Sequence, residues 1–251
     1  MQFQEMQKTI FSVSCLLLMN SANAAVLLDD NFNGTSLSPE WHIEQGFAEV
    51  SSGYVDIFGS TGGSRDGWIV AGEGSSWSNY HFSTHFIADG GGDNWFRGEI
   101  AFRVQDFHPT TNGNFYRLMI DTPIWGGGPG NNGGGTVALV HRATDIPMND
   151  LEKVSPFPGV IANQDNVVDI WAIGNHIQVA INGTQLIDVI DPNPILTGGV
   201  ALGAIWESHV RYDYALVEDI PPIPEPKTYA MLLIGLGLLG FMTHRRKEIA
   251  V

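Results

Sequence analysis

The sequence has almost no cysteine: of its 251 residues only Cys15 carries a thiol, and it lies within the first apolar run. Disulfides, thiolate catalysis and cysteine-ligated zinc or iron–sulfur sites are therefore excluded from the rest of the chain. Cations are also scarce, with 12 Lys and Arg against 27 Asp and Glu. The resulting formal net charge of −15 repels phosphate backbones, which argues against nucleic acid as a partner.

Residues 25–226 are more acidic than the whole chain, because they hold 7 basic and 25 acidic side chains, a net charge of −18. Only 16% of all residues are charged and 43% are hydrophobic. This composition is typical of a globular protein rather than a disordered one, and the length allows one domain of roughly 200 residues.

The N-terminal segment has the three parts of a secretory signal peptide. Lys8 precedes an apolar run from Ile10 to Met19, and the small residues Ser21 to Ala25 follow. We therefore predict that residues 1–24 are a signal peptide, removed by signal peptidase, and that the protein is exported. The alternative is a membrane anchor, for which the run is shorter than the ~20 apolar residues that a spanning helix needs.

The C-terminal segment combines a proline-rich spacer (220–228), an apolar stretch (229–243) and a basic tail (244–251). A helix over the apolar stretch covers about 21 Å, short of the ~30 Å hydrocarbon core but workable if the bilayer thins. We predict one transmembrane helix here. The basic tail marks the cytoplasmic side, which places the large domain outside.

The order of motif, apolar segment and basic tail in this region resembles the PEP-CTERM sorting signal of Gram-negative bacteria. The resemblance rests on Pro224, Glu225 and Pro226 and on Arg245 and Arg246. It implies an exosortase as partner, transient anchoring in the inner membrane, and a final place at the cell surface or in a biofilm matrix, in cells that make exopolysaccharide. The alternative is an ordinary single-pass tail anchor.

The body of the chain has the period-two pattern of β-strands and no long segment with helical spacing. Apolar and polar residues alternate over Tyr80–Ala88, Glu99–Val104 and Phe115–Asp121. The pairs Gly174-Asn175 and Asn182-Gly183 are typical of hairpin turns. Many short strands joined by such turns predict an all-β fold, an antiparallel jelly-roll β-sandwich over residues 25–219.

Several short motifs of the body resemble the concanavalin A-like lectin/glucanase superfamily, and within it the laminin-G-like and 3-keto-disaccharide hydrolase-like domains. These motifs are Asp29–Asn33, Gly98–Asp106, Asn114–Leu118, Ile181–Gly183, Gly198–Leu202 and Arg211–Tyr214. The resemblance implies a concave sheet that binds sugars. The superfamily contains lectins, hydrolases, lyases and adhesive modules, so the fold alone does not settle the activity.

A polysaccharide-binding site is predicted on the polar faces of three strands. The predicted ligand-binding side chains there are Glu99, Arg103, Arg117, Asp121, His81 and His85. Carboxylate and guanidinium groups hydrogen-bond sugar hydroxyls, and Trp125 and Trp95, both beside glycine-rich loops, are predicted to stack on sugar rings. The alternative is that Glu99–Arg117 and Arg103–Asp121 are cross-strand ion pairs on a solvated face.

Hydrolysis of a glycosidic bond needs two carboxylates, and the superfamily's glucanases carry theirs as Glu-x-Asp-x-x-Glu. Here Glu99 supplies the first acid of such an array and the second is absent. We therefore predict a binding module without catalysis. Two alternatives stay open: a glycoside hydrolase or lyase acting on exopolysaccharide through Glu99 and Asp121, and a purely adhesive module.

A calcium site is the one cofactor site that the sequence suggests. Asp30 and Asn31 in the first strand and Asp213 in the last supply oxygen ligands of the kind that Ca²⁺ prefers, and first and last strands often pair in such sandwiches. The alternative is that Asp30 and Asn31 only form a turn. The histidines lack metal-ligand spacing, so no zinc site is predicted.

Overall fold

The computed structural model of the chain describes residues 24–59, 66–88, 95–108, 113–123, 135–143, 146–157, 164–205, 208–221 and 234–236. Residues 1–23 of the predicted signal peptide lie outside this set, as do Trp125, the Pro-Glu-Pro motif and the two arginines of the basic tail. The chain divides into two units, residues 1–220 and residues 221–251.

The described residues of the first unit form fifteen β-strands: β1 (Val26–Asp30), β2 (Trp41–Gln45), β3 (Phe47–Ser51), β4 (Tyr54–Phe58), β5 (Gly67–Ala71), β6 (Tyr80–Ala88), β7 (Trp95–Asp106), β8 (Asn114–Pro123), β9 (Gly135–Ala143), β10 (Ile146–Phe157), β11 (Asp165–Ile173), β12 (His176–Ile181), β13 (Thr184–Ile190), β14 (Gly199–Ala204) and β15 (His209–Asp219). All pairings between them are antiparallel. The prediction of an all-β fold is confirmed.

The strands form two sheets, as a sandwich requires. The eight-stranded sheet has the order β13-β12-β11-β6-β15-β4-β3, with β1 also paired to β15. The seven-stranded sheet has the order β10-β9-β8-β7-β14-β5-β2. The first and last strands pair as predicted, and the predicted hairpin at Asn182-Gly183 joins β12 to β13 with both residues at positive φ.

The main core lies between the two sheets and follows the alternation of the sequence. Tyr80, Phe82 and Phe86 of β6 are fully buried there, in the same cluster as Ile100 and Leu118 of the opposite sheet. Burying large aliphatic and aromatic side chains in this way contributes roughly 1.5–3 kcal/mol each. The seam between the sheets is therefore the main source of stability.

The seven-stranded sheet has a second face, which we call the outward face, and its central strands are buried there too. A second apolar cluster lies on it: Trp68, Val70, Ala101, Val104, Phe107, Phe115, Ala201 and Ile205. Strands β5 and β14 are buried at every position. Their continuous apolar runs are typical of strands covered on both faces.

Strand β7 departs from the predicted alternation at Arg103. This residue has a φ of 50°, and the register with β14 shifts by one residue at this point, which defines a β-bulge. As a result Ile100 and Phe102 face the core, while Val104 belongs to the outward cluster. The prediction that Val104 shares a face with Ile100 and Phe102 is wrong, because the bulge reverses the alternation.

In the second unit the structure describes residues 234–236, one exposed helical turn. Among the described residues no helix is long and apolar enough to cross a membrane. The predicted transmembrane helix over residues 229–243 therefore has no support from the described part of the chain.

Candidate functional site

The outward face of the seven-stranded sheet carries a pocket of about 270 Å³. We call it the Glu99 pocket, and its lining residues are Arg97, Glu99, Met119, Ile120, Asp121 and Ile205. Strands β7 and β8 supply all of them except Ile205, which follows β14. Direct pairing of Glu99 with Met119 and of Arg97 with Asp121 fixes the side chains on one face.

Glu99 is the most buried of the charged lining residues, with 1% of its surface exposed. Its Oε2 accepts a hydrogen bond of 2.5 Å from Nε of Arg117 and also contacts Nη2 of that guanidinium. Within the described residues its Oε1 has no hydrogen-bond partner. Burial raises the pKa of the Glu99 carboxyl to about 7, although the charge of Arg117 opposes the shift.

Further cations and an indole surround this carboxyl. Cζ of Arg117 lies 5.6 Å from the centroid of Trp68, over the ring. Arg142 on β9 interacts electrostatically with both Glu99 and Arg117, and burial lowers the pKa of its guanidinium. At the rim, Nε of Arg97 lies 3.6 Å from Oδ1 of Asp121.

Gly203 makes room for the indole, because a Cβ atom at this position would lie 2.4–2.5 Å from atoms of Trp68. The glycine pairs with Trp68 on one side and with Glu99 on the other. The site thus combines a carboxyl that can exchange a proton near neutral pH, guanidinium donors and an apolar wall. Such a set can hydrogen-bond hydroxyl groups and can hold or release a proton.

The sequence placed Glu99 and Arg117 together, and the structure confirms this pair. It differs from the alternative of a solvated ion pair, because the side chain of Arg117 is only 11% exposed and that of Glu99 only 1%. The second ion pair of that alternative, Arg103 with Asp121, does not form. Asp121 instead meets Arg97, and its side chain is 46% exposed.

Arg103 lies in the interior and not in the pocket. Its guanidinium donates hydrogen bonds to the carbonyl oxygens of Gly174 (2.5 Å), Ile195 (2.6 Å) and Ser78 (3.1 Å). Its backbone N–H donates to the hydroxyl of Tyr80 at 2.7 Å. The bulge turns this side chain away from the outward face. Arg103 therefore has a structural role, because it joins three segments of the chain by hydrogen bonds.

His81 and His85 are also apart from Glu99, because β6 belongs to the eight-stranded sheet. His81 contacts Asp169 at 2.9 Å and stacks on Trp171 with 4.8 Å between ring centroids. His85 lies 3.6 Å from Asp213. The predicted six-residue ligand site is therefore divided among two faces and the interior.

The side chains of the two aromatic residues predicted to stack on sugar lie outside the described part of the chain. Trp95 begins strand β7, but only its backbone is described, and Trp125 lies outside the described residues. Five residues join the site without having been predicted: Trp68, Arg97, Met119, Arg142 and Ile205. The continuous apolar run of β5 and the glycine within β14 were the available signals for Trp68, since both indicate close packing on two faces.

Each of the three predicted calcium ligands lies against protein groups, and Asp213 is 3.6 Å from His85. Oδ1 of Asp30 accepts the N–H of Phe32, and its Oδ2 accepts the hydroxyl of Ser38 and the indole N–H of Trp41. Oδ1 of Asn31 accepts the N–H of Asn33, as the turn alternative predicts. Over the described ranges no group of three His, Cys, Asp or Glu side chains could hold a metal ion.

Two family models match the chain. A model described as a 3-keto-alpha-glucoside-1,2-lyase-like domain matches residues 29–215, which is nearly the whole sandwich. The PEP-CTERM protein-sorting motif matches residues 222–247, where the sequence resemblance placed it. No curated protein matches the chain.

Solved structures with a similar fold include carbohydrate-binding proteins. The carbohydrate-binding module CBM66 from Bacillus subtilis superposes with a TM-score of 0.51 and 14% identity over 72% of this chain and 96% of that one. The exoplasmic/lumenal domain of VIP36 in its Ca²⁺/mannose-bound form has a TM-score of 0.58 and 13% identity, over 82% of this chain and 93% of that one. A Bacillus subtilis protein of unknown function with a galectin-like fold has a TM-score of 0.54 and 14% identity, over 78% of this chain and 96% of that one. At these identities the likeness shows the fold alone.

Proposed function

The chain belongs to the family of 3-keto-alpha-glucoside-1,2-lyase-like domains, and from that premise we propose that its sandwich binds carbohydrate at the cell surface through the Glu99 pocket. The observation that carries the proposal is the composition of this pocket. It combines Glu99, the Arg97–Asp121 pair and apolar lining residues on one face of a lectin-like sheet. Planar donors and acceptors beside apolar surface are what a sugar ring needs.

The place of action follows from the sorting motif. The PEP-CTERM match supports export, processing by an exosortase and delivery to the outer surface, where polysaccharide is available as a ligand. Deleting residues 224–226 should then leave the protein in the membrane fraction instead of at the surface. Unchanged surface delivery in that deletion would contradict the sorting route.

Glycan binding is tested with the full-length chain on an array of neutral and acidic polysaccharides. Asp121→Ala removes the exposed rim acceptor and should weaken binding of neutral glycans about tenfold, as expected for the loss of a hydrogen bond to a charged group. Asp188→Ala is the matched control, because this aspartate is similarly exposed but lies on the eight-stranded sheet. Absence of binding to every glycan, or equal losses in both variants, would overturn the proposal.

A second candidate function is catalysis on a 3-keto-α-glucoside, in line with the family description. The observation that favours it is the burial of Glu99, which gives a carboxyl with a pKa of about 7 and so a proton acceptor or donor near neutral pH. Cleavage of a 3-keto-disaccharide that disappears in Glu99→Gln would support this function. Turnover that persists in the variant would exclude Glu99 as the acid or base.

A further inference from the structure

Resting on the proposed carbohydrate binding, we propose that the Glu99 pocket selects acidic sugar units, with the sugar carboxylate against Arg97 and a proton held on Glu99 while the ligand is bound. The proton comes from solvent and goes to a carboxylate oxygen of Glu99. No bond in the sugar changes.

The distribution of cations supports this selection. Six Lys and Arg residues lie within the described ranges, and register places four of them on the outward face of the seven-stranded sheet: Arg97, Arg117, Arg142 and Lys153. The exposed face of the eight-stranded sheet has the opposite character. Its register-aligned carboxylates are Asp29, Glu49, Asp56, Asp165, Asp169, Asp188 and Glu218, and its one described arginine is Arg211. An anionic polymer is therefore repelled from the second face and meets a more balanced first face.

The charge balance at the pocket depends on Glu99. Among the described residues, the charged groups near its carboxyl are Arg117, Arg142 and Asp66, and the pocket rim adds Arg97 and Asp121. Together with ionised Glu99, these described groups are three cations and three carboxylates, with a net charge of zero. When Glu99 takes up a proton the net charge becomes +1, and the guanidinium of Arg117 loses the charge that neutralises it. Protonation of this one carboxyl thus converts a neutral pocket into a cationic one.

Glu99 gains or loses its proton near neutral pH, so its protonation can be coupled to the binding of an acidic sugar. Burial raises the pKa of Glu99 to about 7 against the opposing charge of Arg117, and Asp66 raises it further while Arg142 lowers it. A ligand carboxylate nearby disfavours the ionised form of Glu99 and raises this pKa again. Affinity for an acidic sugar is then highest below pH 7 and falls as the pH rises through and above that value.

The experiment compares two polymers with the same backbone, polygalacturonate and its methyl-esterified form, binding to the full-length chain at pH 6, 7 and 8. Sugar carboxyls titrate at roughly pH 3–4, like other carboxylic acids, so the ligand stays ionised over this range. We expect polygalacturonate to bind about tenfold more tightly at pH 6 than at pH 8, in line with uptake of one proton. The esterified polymer should bind with little dependence on pH.

Three variants assign the effect to residues. Glu99→Gln should bind polygalacturonate with an affinity that no longer changes between pH 6 and 8. Arg97→Gln should weaken binding of polygalacturonate about fivefold more than binding of the esterified polymer, since only the acidic ligand carries a charge that pairs with the guanidinium. Arg211→Gln, on the other sheet, is the control and should change neither. Because Arg97 is at the pocket rim, its variant keeps the test valid even if Glu99→Gln does not fold.

The outcomes separate the two proposals. Equal affinity for the two polymers, or the same pH profile in the chain and in Glu99→Gln, overturns the acidic-sugar inference while carbohydrate binding stands. Binding of neutral glycans alone also overturns the acidic-sugar inference and leaves the proposal of carbohydrate binding in place. Failure to bind any glycan overturns both. Tight binding to dextran sulfate without binding to polygalacturonate also contradicts the inference, because it assigns the anion to sulfate instead of carboxylate.

Discussion

Glu99 shows how burial can raise the pKa of a carboxyl that is in contact with a cation. The side chain is 1% exposed, and transfer of a charge out of water costs more than the ion pair with Arg117 returns. The pKa therefore stays near neutrality although a guanidinium touches the carboxylate. A surface glutamate in the same ion pair would have its pKa lowered. The burial of the Glu99 side chain therefore decides its pKa. The alternation of polar and apolar residues in the sequence does not reveal how deeply a side chain is buried.

The stability of the protein should therefore depend on the protonation of Glu99. Its folded pKa of about 7 lies above the value of 4.5 for the free side chain, so between these values the folded state binds more protons than the unfolded state. The free energy of unfolding should then fall as the pH rises from 5 to 8, by on the order of 3 kcal/mol from this group. Urea denaturation at each pH measures this free energy of unfolding.

The matched variants for this measurement are Glu99→Gln and Asp121→Asn. The first should show a clearly flatter pH profile, because glutamine does not titrate. The second removes an exposed carboxylate from the same pocket and should keep the profile of the unaltered chain. The histidines contribute equally to all three proteins, so a profile in Glu99→Gln parallel to that of the unaltered chain would contradict the assignment.

Strand β7 illustrates what the pattern of a strand leaves undetermined. Its residues up to Phe102 have the faces that alternation predicts, and the ion pair of Glu99 with Arg117 follows from that register. At Arg103 a φ of 50° in a residue other than glycine is costly and has no signature in the sequence. It is maintained by tertiary hydrogen bonds to three carbonyl groups far away in the chain.

Loss of the Arg103 guanidinium should destabilise the fold strongly. Arg103→Met keeps the apolar stem but leaves the carbonyl groups of Ser78, Gly174 and Ile195 without this donor. Buried unpaired carbonyl groups cost about 1–3 kcal/mol each, and partial relaxation should bring the net loss to about 3 kcal/mol in chemical denaturation. Lys153→Met, on an exposed side chain, should stay within about 0.5 kcal/mol. Similar losses in both variants would contradict the structural role of Arg103.

Strand type was predictable from local pattern, whereas the partner of each strand was not. The alternation in β6 and the turn between β12 and β13 are local features and both are confirmed. The sheet to which β6 belongs depends on pairing with β11 and β15, which are distant in sequence. For this reason the sequence pattern predicted His81 and His85 beside Glu99, whereas the structure places them on the other sheet.

At the scale of the whole molecule, the predicted calcium site and the net charge both bear on the response to ions. The body carries a net charge of −18, which destabilises a compact state through self-repulsion and is screened by any salt. A specific calcium site would add a further gain, because a ligand that binds only the folded state raises its stability. Asp30 already accepts three hydrogen bonds, so displacing them would offset that gain.

We therefore expect calcium to raise the melting temperature of the full-length chain no more than sodium does at equal ionic strength. Both salts should raise it, because both screen the repulsion among the carboxylates. Asp30→Asn is the informative variant: it keeps an oxygen for the N–H of Phe32 but places an amide nitrogen near the donors of Ser38 and Trp41, so it should lower the melting temperature in either salt. A calcium-specific rise that chelator reverses and that Asp30→Asn abolishes would contradict this expectation and restore the metal site, with Asp30 exchanging its protein donors for the ion.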